Sequence, residues 1–254
     1  MKIRFAVISD MGRVRKNNED AYLAEPDLGV FAVADGMGGH ASGEVASRMA
    51  LAALREFFRQ TGKEEDATLR LGLVETQDSP LQFLAQGIRQ ANQRIYQASQ
   101  DKNEYRGMGT TLVAVAFCAP AIVANVGDSR LYRIRDPAIE QITEDHSLVW
   151  EEYKKGLLTK EELSSAHHKN IVTRALGIHP SVEVDVKPLG LEPGDLLLLC
   201  TDGLSDLVRD EEMLRVIAES AGDLEKAGQE LVRLANHRGG KDNITVLLIE
   251  IIDS

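Results

Sequence analysis

Cysteine and long apolar runs are scarce in this sequence. Its 254 residues include two cysteines, Cys118 and Cys200, and both sit inside apolar runs. This favours buried, reduced thiols over a disulfide framework and indicates a cytoplasmic protein. No stretch approaches the roughly 18 to 20 unbroken apolar residues that a membrane helix requires. The charged N-terminal segment also departs from the pattern of a signal peptide, so we expect no membrane association.

Positive charge is in deficit as well. The chain has 29 lysines and arginines against 40 aspartates and glutamates, which gives a formal net charge of −11. An acidic protein repels polyanions, so nucleic acid is excluded as an expected ligand. A phosphate substrate would be repelled in the same way unless bound cations reversed the sign of the local field.

Repeats, low-complexity tracts and Pro- or Ser-rich linkers are absent from the sequence. Together with the chain length, this predicts a single domain over residues 1–254. The polar stretch of about residues 146–180 is predicted to be a flap inserted into that domain. Four histidines in this stretch are predicted to face solvent: His146, His167, His168 and His179.

Short apolar runs rich in β-branched residues predict strands. They cover residues 3–8, 30–34, 111–117, 122–126, 131–134, 196–199 and 244–251. Helical periodicity is found at residues 42–54, 81–99, 211–219 and 224–237. Strands that follow one another directly, with helices inserted in blocks, favour an α+β fold of antiparallel sheets with helices on the outer faces. Residues 122–126 and 131–134 are predicted to be hairpin-like neighbours joined by a tight turn.

Aspartates recur at the ends of the predicted strands. Asp35 and Asp202 each follow a buried-looking run and precede a glycine, Asp128 follows another such run, and Asp242 precedes the last strand. A single Asp-Gly pair is typical of a turn. Several carboxylates held on rigid sheet ends can instead converge, and they would repel one another strongly without a cation between them.

The donor atoms of such a cluster indicate which cation it would bind. Oxygen ligands favour magnesium, manganese or calcium over zinc. The carbonyl of Gly36 is a further candidate ligand, because a glycine allows the main chain to approach an ion closely.

Seven short blocks, in this order along the chain, resemble those of bacterial metal-dependent protein serine/threonine phosphatases of the type-2C (PPM) family. They are residues 15–20 (RKNNED), 35–47 (DGMGGHASGEVAS), 107–111 (GMGTT), 127–130 (GDSR), 173–177 (TRALG), 201–204 (TDGL) and 240–245 (GKDNIT). The resemblance covers residues 3–251. It implies a four-layer α-β-β-α sandwich, in which two packed antiparallel sheets are flanked by helices and carry a flap insertion.

The resemblance also implies a dinuclear centre of two Mn²⁺ or Mg²⁺ ions. By analogy Asp35 bridges both ions, the Gly36 carbonyl binds one of them, and Asp202 and Asp242 bind the other. Asp20, together with Glu19, is expected to hold metal-bound water. A weaker third ion is expected at Asp128, Asp202 and Asp206.

The implied reaction is hydrolysis of phosphoserine and phosphothreonine by a metal-activated water. Arg15 is predicted to hold the phosphoryl group, since a guanidinium can donate two parallel hydrogen bonds to phosphate oxygens. His40 is predicted to protonate the leaving alkoxide; a metal-bound water in that role, with His40 merely capping the following helix, is the alternative. The expected partners are phosphorylated proteins, including a serine/threonine kinase, and the chain is expected to be a monomer.

Three other interpretations are weighed against this one. A catalytically silent relative would be expected to lack a metal carboxylate, yet Asp35, Asp202 and Asp242 are all present. A two-metal phosphodiesterase acting on nucleotides would commonly use histidine ligands, which the acidic set lacks. A sensor-coupled regulator of a transcription-factor antagonist uses the same chemistry, and 254 residues leave little room for a sensory segment.

Overall fold

The structure, a computed structural model, describes residues 2–38, 42–61, 80–163, 166, 168 and 170–253. Within these ranges one sheet contains the strands β1 (Lys2–Asp10), β7 (Arg130–Arg135), β8 (Ala138–Gln141), β10 (Leu196–Cys200) and β11 (Ile244–Asp253). They lie in the order β1-β11-β10-β7-β8, and every neighbouring pair is antiparallel. We call this the first sheet.

The second sheet is also antiparallel. Its strands are β2 (Asp20–Glu25), β3 (Val30–Met37), β4 (Gly109–Thr110), β5 (Leu112–Ala116), β6 (Ala121–Val126) and β9 (Asp185–Leu189). The order is β2-β3-β5-β6-β9, and the short β4 pairs with the end of β3.

Two groups of helices cover the outer faces of the sheets. The helices are α1 (Ser42–Thr61), α2 (Pro80–Asp101), α3 (Leu148–Lys154), α4 (Lys160–Leu163), α5 (Asp202–Ser205), α6 (Asp210–Glu219) and α7 (Leu224–His237). Apolar side chains of α1 and α2 pack on the second sheet, and those of α5, α6 and α7 pack on the first. Among the described helices, none has the length and apolar character needed to cross a bilayer.

The period-two alternation of a strand places every residue of β10 in a core. Leu198 and Cys200 face the helices of the first sheet, whereas Leu197 and Leu199 face the second sheet. All four side chains are buried, because both faces of this central strand are covered. Three stacked apolar layers of this kind produce the predicted four-layer α-β-β-α sandwich, and the α+β fold class is confirmed.

The predicted hairpin around residues 127–130 is wrong. β6 pairs with β5 and β9 in the second sheet, whereas β7 pairs with β8 and β10 in the first. The connection is therefore a crossover from one sheet to the other. A tight turn looks the same in sequence whether its strands pair with each other or with distant strands.

Residues 146–180, which the sequence assigned to a flap, contain α3 and α4. An isolated bridge between Ser147 and Val172 joins the two ends of this segment, and a second bridge joins Leu176 to Thr110 of β4. That this segment acts as a flap, within a single domain of residues 1–254, stays a prediction.

Candidate metal centre

One end of the sandwich gathers aspartates from both sheets. Asp20 opens β2 and lies opposite Asp35 of β3 in the antiparallel register. Asp202 begins α5 directly after β10, and Asp242 lies just before β11, the strand beside β10. Asp128 lies on the crossover between β6 and β7. Strand pairing thus collects at one end residues that are far apart in the sequence.

Two threonine hydroxyls from the first sheet hold the carboxylate of Asp20. Thr201 Oγ1 and Thr245 Oγ1 donate to Asp20 Oδ2 at 2.8 and 2.7 Å. Thr245 N also donates to Thr201 Oγ1 at 3.0 Å, which ties the two threonines together. The other carboxylate oxygen, Oδ1, is buried without a hydrogen-bond partner among the described residues. A cation, or a water bound to one, would satisfy such an oxygen.

A second pair of threonines fixes the main chain of Asp35. Thr111 Oγ1 accepts from Asp35 N at 3.0 Å, and Thr110 Oγ1 donates to Asp35 O at 2.8 Å. Thr111 Oγ1 also shares a hydrogen bond of 2.7 Å with Ser129 Oγ, directly after Asp128. One hydroxyl network therefore holds the main-chain segments that carry Asp35 and Asp128.

Gly36 permits a close approach of three chain segments. A Cβ at this position would lie 2.1 Å from Gly43 O and 2.6 Å from Glu19 O. Gly36 N also donates to Glu19 O at 3.2 Å. No side chain fits at this position, so the residue after Asp35 has to be glycine for a steric reason.

Burial and mutual repulsion disfavour the ionised carboxylates. Burial raises the pKa of Asp35 well above its ordinary value. Four other carboxylates raise the same pKa by repulsion: Asp20, Asp202, Asp128 and Asp242. The pKa of Asp128 is likewise raised by burial and then by Asp202, and burial raises the pKa of Asp20 to about 7. Such repulsion is relieved when a divalent cation enters.

The donor set fits hard divalent cations, although the side chains are not gathered around one point. In the part of the chain that the structure describes, no three acidic, histidine or cysteine side chains form a ready-made set of ligands. Asp242 uses its oxygens elsewhere, since Oδ2 accepts from Arg15 Nη2 at 2.6 Å and Oδ1 accepts from Asn243 N at 2.8 Å. Each oxygen of Asp242 keeps a second lone pair, so the carboxylate can hold these partners and still coordinate an ion.

Arg15 lies at the edge of the acidic cluster, as a phosphate-binding side chain would. Its side chain is 50% exposed. The hydrogen bond to Asp242 raises the pKa of Arg15, and the charges of Asp242, Asp35 and Glu19 raise it further against the effect of burial. The guanidinium is thus fully charged and reachable from solvent.

Asn243 organises the site, and the sequence reasoning did not assign it a role. Its Nδ2 donates to Met11 O and Asn17 O, both at 2.9 Å, and its Oδ1 accepts from Glu19 N at 2.8 Å. These bonds fasten the loop that carries Arg15 to the residue next to Asp242. The only sequence signal was its position inside the block at residues 240–245.

The structure places some of the other residues predicted from the sequence and leaves two of them undescribed. His40 lies outside the described residues, as does His167. Asp206 is exposed at the C-terminal end of α5, four residues after Asp202. The prediction that His146 faces solvent is wrong, because its side chain is 8% exposed. His146 is buried because it forms hydrogen bonds with segments that are distant in the sequence, and the polarity of its neighbours in the sequence gives no sign of those bonds.

The family model described as protein phosphatase 2C matches residues 13–237. The serine/threonine phosphatase stp of Listeria monocytogenes serotype 4b (strain F2365) is 39% identical over 246 residues, covering 95% of this chain and 93% of that protein. The crystal structure of the Mycobacterium tuberculosis serine/threonine phosphatase PstP/Ppp superposes with a TM-score of 0.86, at 35% identity and 99% coverage of both chains. The catalytic domain of PstP in complex with two manganese ions superposes with a TM-score of 0.81, at 35% identity and 99% coverage of both chains.

A four-layer sandwich that brings acidic side chains from both sheets to one end fits a metal-dependent hydrolase. The extent of the family match then makes the assignment specific. The chain belongs to the protein phosphatase 2C family, and it is a metal-dependent protein phosphatase.

Proposed function

We propose that this phosphatase hydrolyses phosphoserine and phosphothreonine in other proteins with two Mn²⁺ or Mg²⁺ ions held at the end of the sandwich. The observation that carries the proposal is the crowding around Asp35, whose pKa is raised by four other carboxylates drawn from both sheets. The relatives named as serine/threonine phosphatases, and the two manganese ions in the PstP complex, support the same reaction and cofactor.

The two ions are assigned to four groups of this chain. Asp35 would bridge them, the Gly36 carbonyl would bind one, and Asp202 and Asp242 would bind the other. Asp20 would act through water, which suits its Oδ1, since this atom is buried without a hydrogen-bond partner in the described part of the chain. When bound, such ions lower the pKa of water and supply the nucleophile for attack on phosphorus.

A third, weaker ion is assigned to Asp128, Asp202 and Asp206. The assignment is supported by the pKa of Asp128, which burial raises and which repulsion from Asp202 raises further. Asp206 lies one helical turn after Asp202 and is exposed, so its contribution would come from the solvent side.

Arg15 is assigned to the phosphoryl group. It is charged and half-exposed and lies beside the acidic cluster. A guanidinium can place two parallel hydrogen bonds on phosphate oxygens, so it would orient the substrate and offset its negative charge. His40 is assigned to protonation of the leaving alkoxide.

We further propose that the chain acts as a cytoplasmic monomer on phosphorylated proteins and opposes a serine/threonine kinase. Cys200 is buried and Cys118 is half-buried, and both are free thiols, as suits a reducing compartment. The kinase is inferred from the chemistry, since a phosphoserine phosphatase needs an enzyme that makes its substrate.

The test is hydrolysis of a phosphothreonine peptide in EDTA and then with added Mn²⁺. We expect turnover only with metal, and a loss of at least about 100-fold in Asp35→Asn and Asp242→Asn. Asp253→Asn is the matched control, because it makes the same change at an exposed residue at the far end of β11.

Three results would overturn the proposal. Turnover in EDTA would remove the metal from the mechanism. Hydrolysis of a phosphodiester in preference to the phosphopeptide would favour the phosphodiesterase, and no hydrolysis of either would favour the silent relative.

A further inference from the structure

One buried histidine holds both main-chain polar groups of Gly127, the residue before Asp128. His146 N donates to Gly127 O at 2.9 Å, and Gly127 N donates to His146 Nδ1 at 3.0 Å. Gly127 has φ +108°, and a Cβ there would lie 2.6 Å from the side chain of Thr111. The crossover that carries Asp128 is therefore held in an unusual conformation by both the main chain and the ring of His146.

The hydrogen bonds specify the tautomer of this ring. Because Nδ1 accepts from Gly127 N, the ring proton resides on Nε2. Nε2 lies 3.2 Å from Asp185 Oδ2 and 3.0 Å from Arg174 Nη1. Burial lowers the pKa of His146, the charge of Arg174 lowers it further, and Asp185 opposes both effects. A neutral ring that donates from Nε2 to Asp185 satisfies the contacts to Gly127 and Asp185, whereas Arg174 Nη1, which is itself a donor, pairs with Asp185 Oδ1.

His146 also connects this crossover to the segment that returns to the core. Its carbonyl accepts from Thr173 N at 2.8 Å, and Leu148 N donates to Ile171 O at 2.9 Å. Residues 146–148 and 171–173 therefore run side by side. The ring lies between this pair of segments and the turn that presents Asp128.

We propose that His146 is a positioning residue for Asp128 and sets metal affinity there through the hydrogen bond from Gly127 N to Nδ1. The inference rests on the ion-binding role given to Asp128 under Proposed function. His146 touches neither substrate nor ion in this proposal. It acts by fixing the conformation of the residue before the carboxylate.

Two substitutions separate the two ring nitrogens. In His146→Asn the amide oxygen takes the place of Nδ1 and still accepts from Gly127 N. In His146→Gln the amide reaches toward the position of Nε2 and leaves Gly127 N without its acceptor. His168→Gln is the matched control, because that ring contacts Glu152 of α3 at 2.6 Å and not the crossover.

The first measurement needs no metal. Amide hydrogen exchange at Gly127, followed by NMR, should quicken about fivefold to tenfold in His146→Gln, as expected for the loss of one hydrogen bond. It should stay within about twofold of the unsubstituted protein in His146→Asn and in the His168→Gln control. Equal exchange in the Asn and Gln variants would overturn the proposal.

The second measurement is Mn²⁺ binding by calorimetry, with and without Asp128→Asn. We expect His146→Gln to weaken the Asp128-dependent site about 10-fold or more, and His146→Asn to retain most of its affinity. In the Asp128→Asn background, His146→Gln should have almost no further effect. An equal loss of affinity in both backgrounds would show that His146 acts elsewhere.

If the unsubstituted protein failed to hydrolyse the phosphopeptide, the proposed function would fall, while amide exchange would still decide the role of His146.

Discussion

Arg15 donates a hydrogen bond from Nη2 to Oδ2 of Asp242 across 2.6 Å. The pair joins the residue proposed to hold phosphate to a residue proposed to hold metal. A carboxylate oxygen has two lone pairs, so Oδ2 can accept from Arg15 and still face a divalent ion. An ion held by Asp242 would therefore lie close to Arg15, and the two positive charges would meet the same phosphoryl group.

Arg15→Ala should mainly raise KM for a phosphothreonine peptide. Loss of a charge-assisted hydrogen bond costs about 1.5–3 kcal/mol, which corresponds to a rise of roughly 10-fold to 150-fold. Mn²⁺ affinity should be equal or higher, because the substitution removes a positive charge beside Asp242. Steady-state kinetics at saturating Mn²⁺ and calorimetric titration measure the two effects.

The conservative variant Arg15→Lys is the comparison for that experiment. Lysine keeps the charge but lacks the paired donors, so its KM should lie between those of the two other proteins. An unchanged KM in Arg15→Ala would remove Arg15 from the phosphate-binding role.

Metal-free protein should lose stability as the pH rises from about 5 to 7.5. Folding raises the pKa values of Asp20, Asp35 and Asp128, so the folded state binds more protons than the unfolded chain. The stability from this source is fully present below the ordinary pKa of 3.8 and is lost as the pH passes through the folded value, about 7 for Asp20. Thermal unfolding in EDTA at several pH values measures the slope, and added Mn²⁺ should reduce it.

Asp35→Asn tests the origin of that slope. The variant should be more stable than the unsubstituted protein in EDTA at pH 7.5, with a smaller advantage at pH 5. Equal destabilisation at both pH values would show that repulsion at Asp35 is not the cause.

Thr245→Val should weaken Mn²⁺ binding by about 10-fold to 100-fold, the usual effect of removing a group that orients a ligand. The substitution removes the hydroxyl that donates to Asp20 Oδ2 at 2.7 Å and leaves a side chain of nearly the same shape. Calorimetry measures the affinity. Thr245→Ser keeps the hydroxyl and should recover most of it, and a Ser variant as weak as the Val variant would contradict the assigned contact.

Gly36→Ala should damage both stability and activity. A Cβ at this position would lie 2.1 Å from Gly43 O, so the main chain around Asp35 must move. We expect destabilisation of about 2 kcal/mol or more, measured by denaturant unfolding. Gly190→Ala is the matched control, because no atom of the described residues lies within 4 Å of a Cβ at that position. Similar unfolding curves for the two variants would rule out the steric argument.

The long elements were predictable from the sequence because their apolar pattern is strong. The run at residues 244–251 corresponds to β11, and the periodicity at residues 81–99 corresponds to α2. The strand β2 was missed, since DAYLAE is short, polar at both ends and only partly buried. Its place depends on pairing with β3, and pairing with a distant partner leaves little trace in a six-residue segment.

The candidate metal centre was also predictable from the sequence only in part. The aspartates stood out because each lies beside a strand-like run, and the hypothesis of a carboxylate metal centre follows from that local pattern. The roles of Asn243 and of the hydroxyls of Thr201 and Thr245 did not follow, because each acts across a gap of more than 180 residues in the sequence.

The sequence by itself determined the family, the apolar layers and the identity of the acidic side chains, because these depend on local composition and on motifs of a few residues. The tertiary structure decided which sheet each strand enters, that His146 is buried, and that Arg15 faces Asp242. Those features arise from contacts between segments far apart in the chain. Their free energy depends on which partner each hydrogen-bonding group finds, and only the folded arrangement specifies that partner.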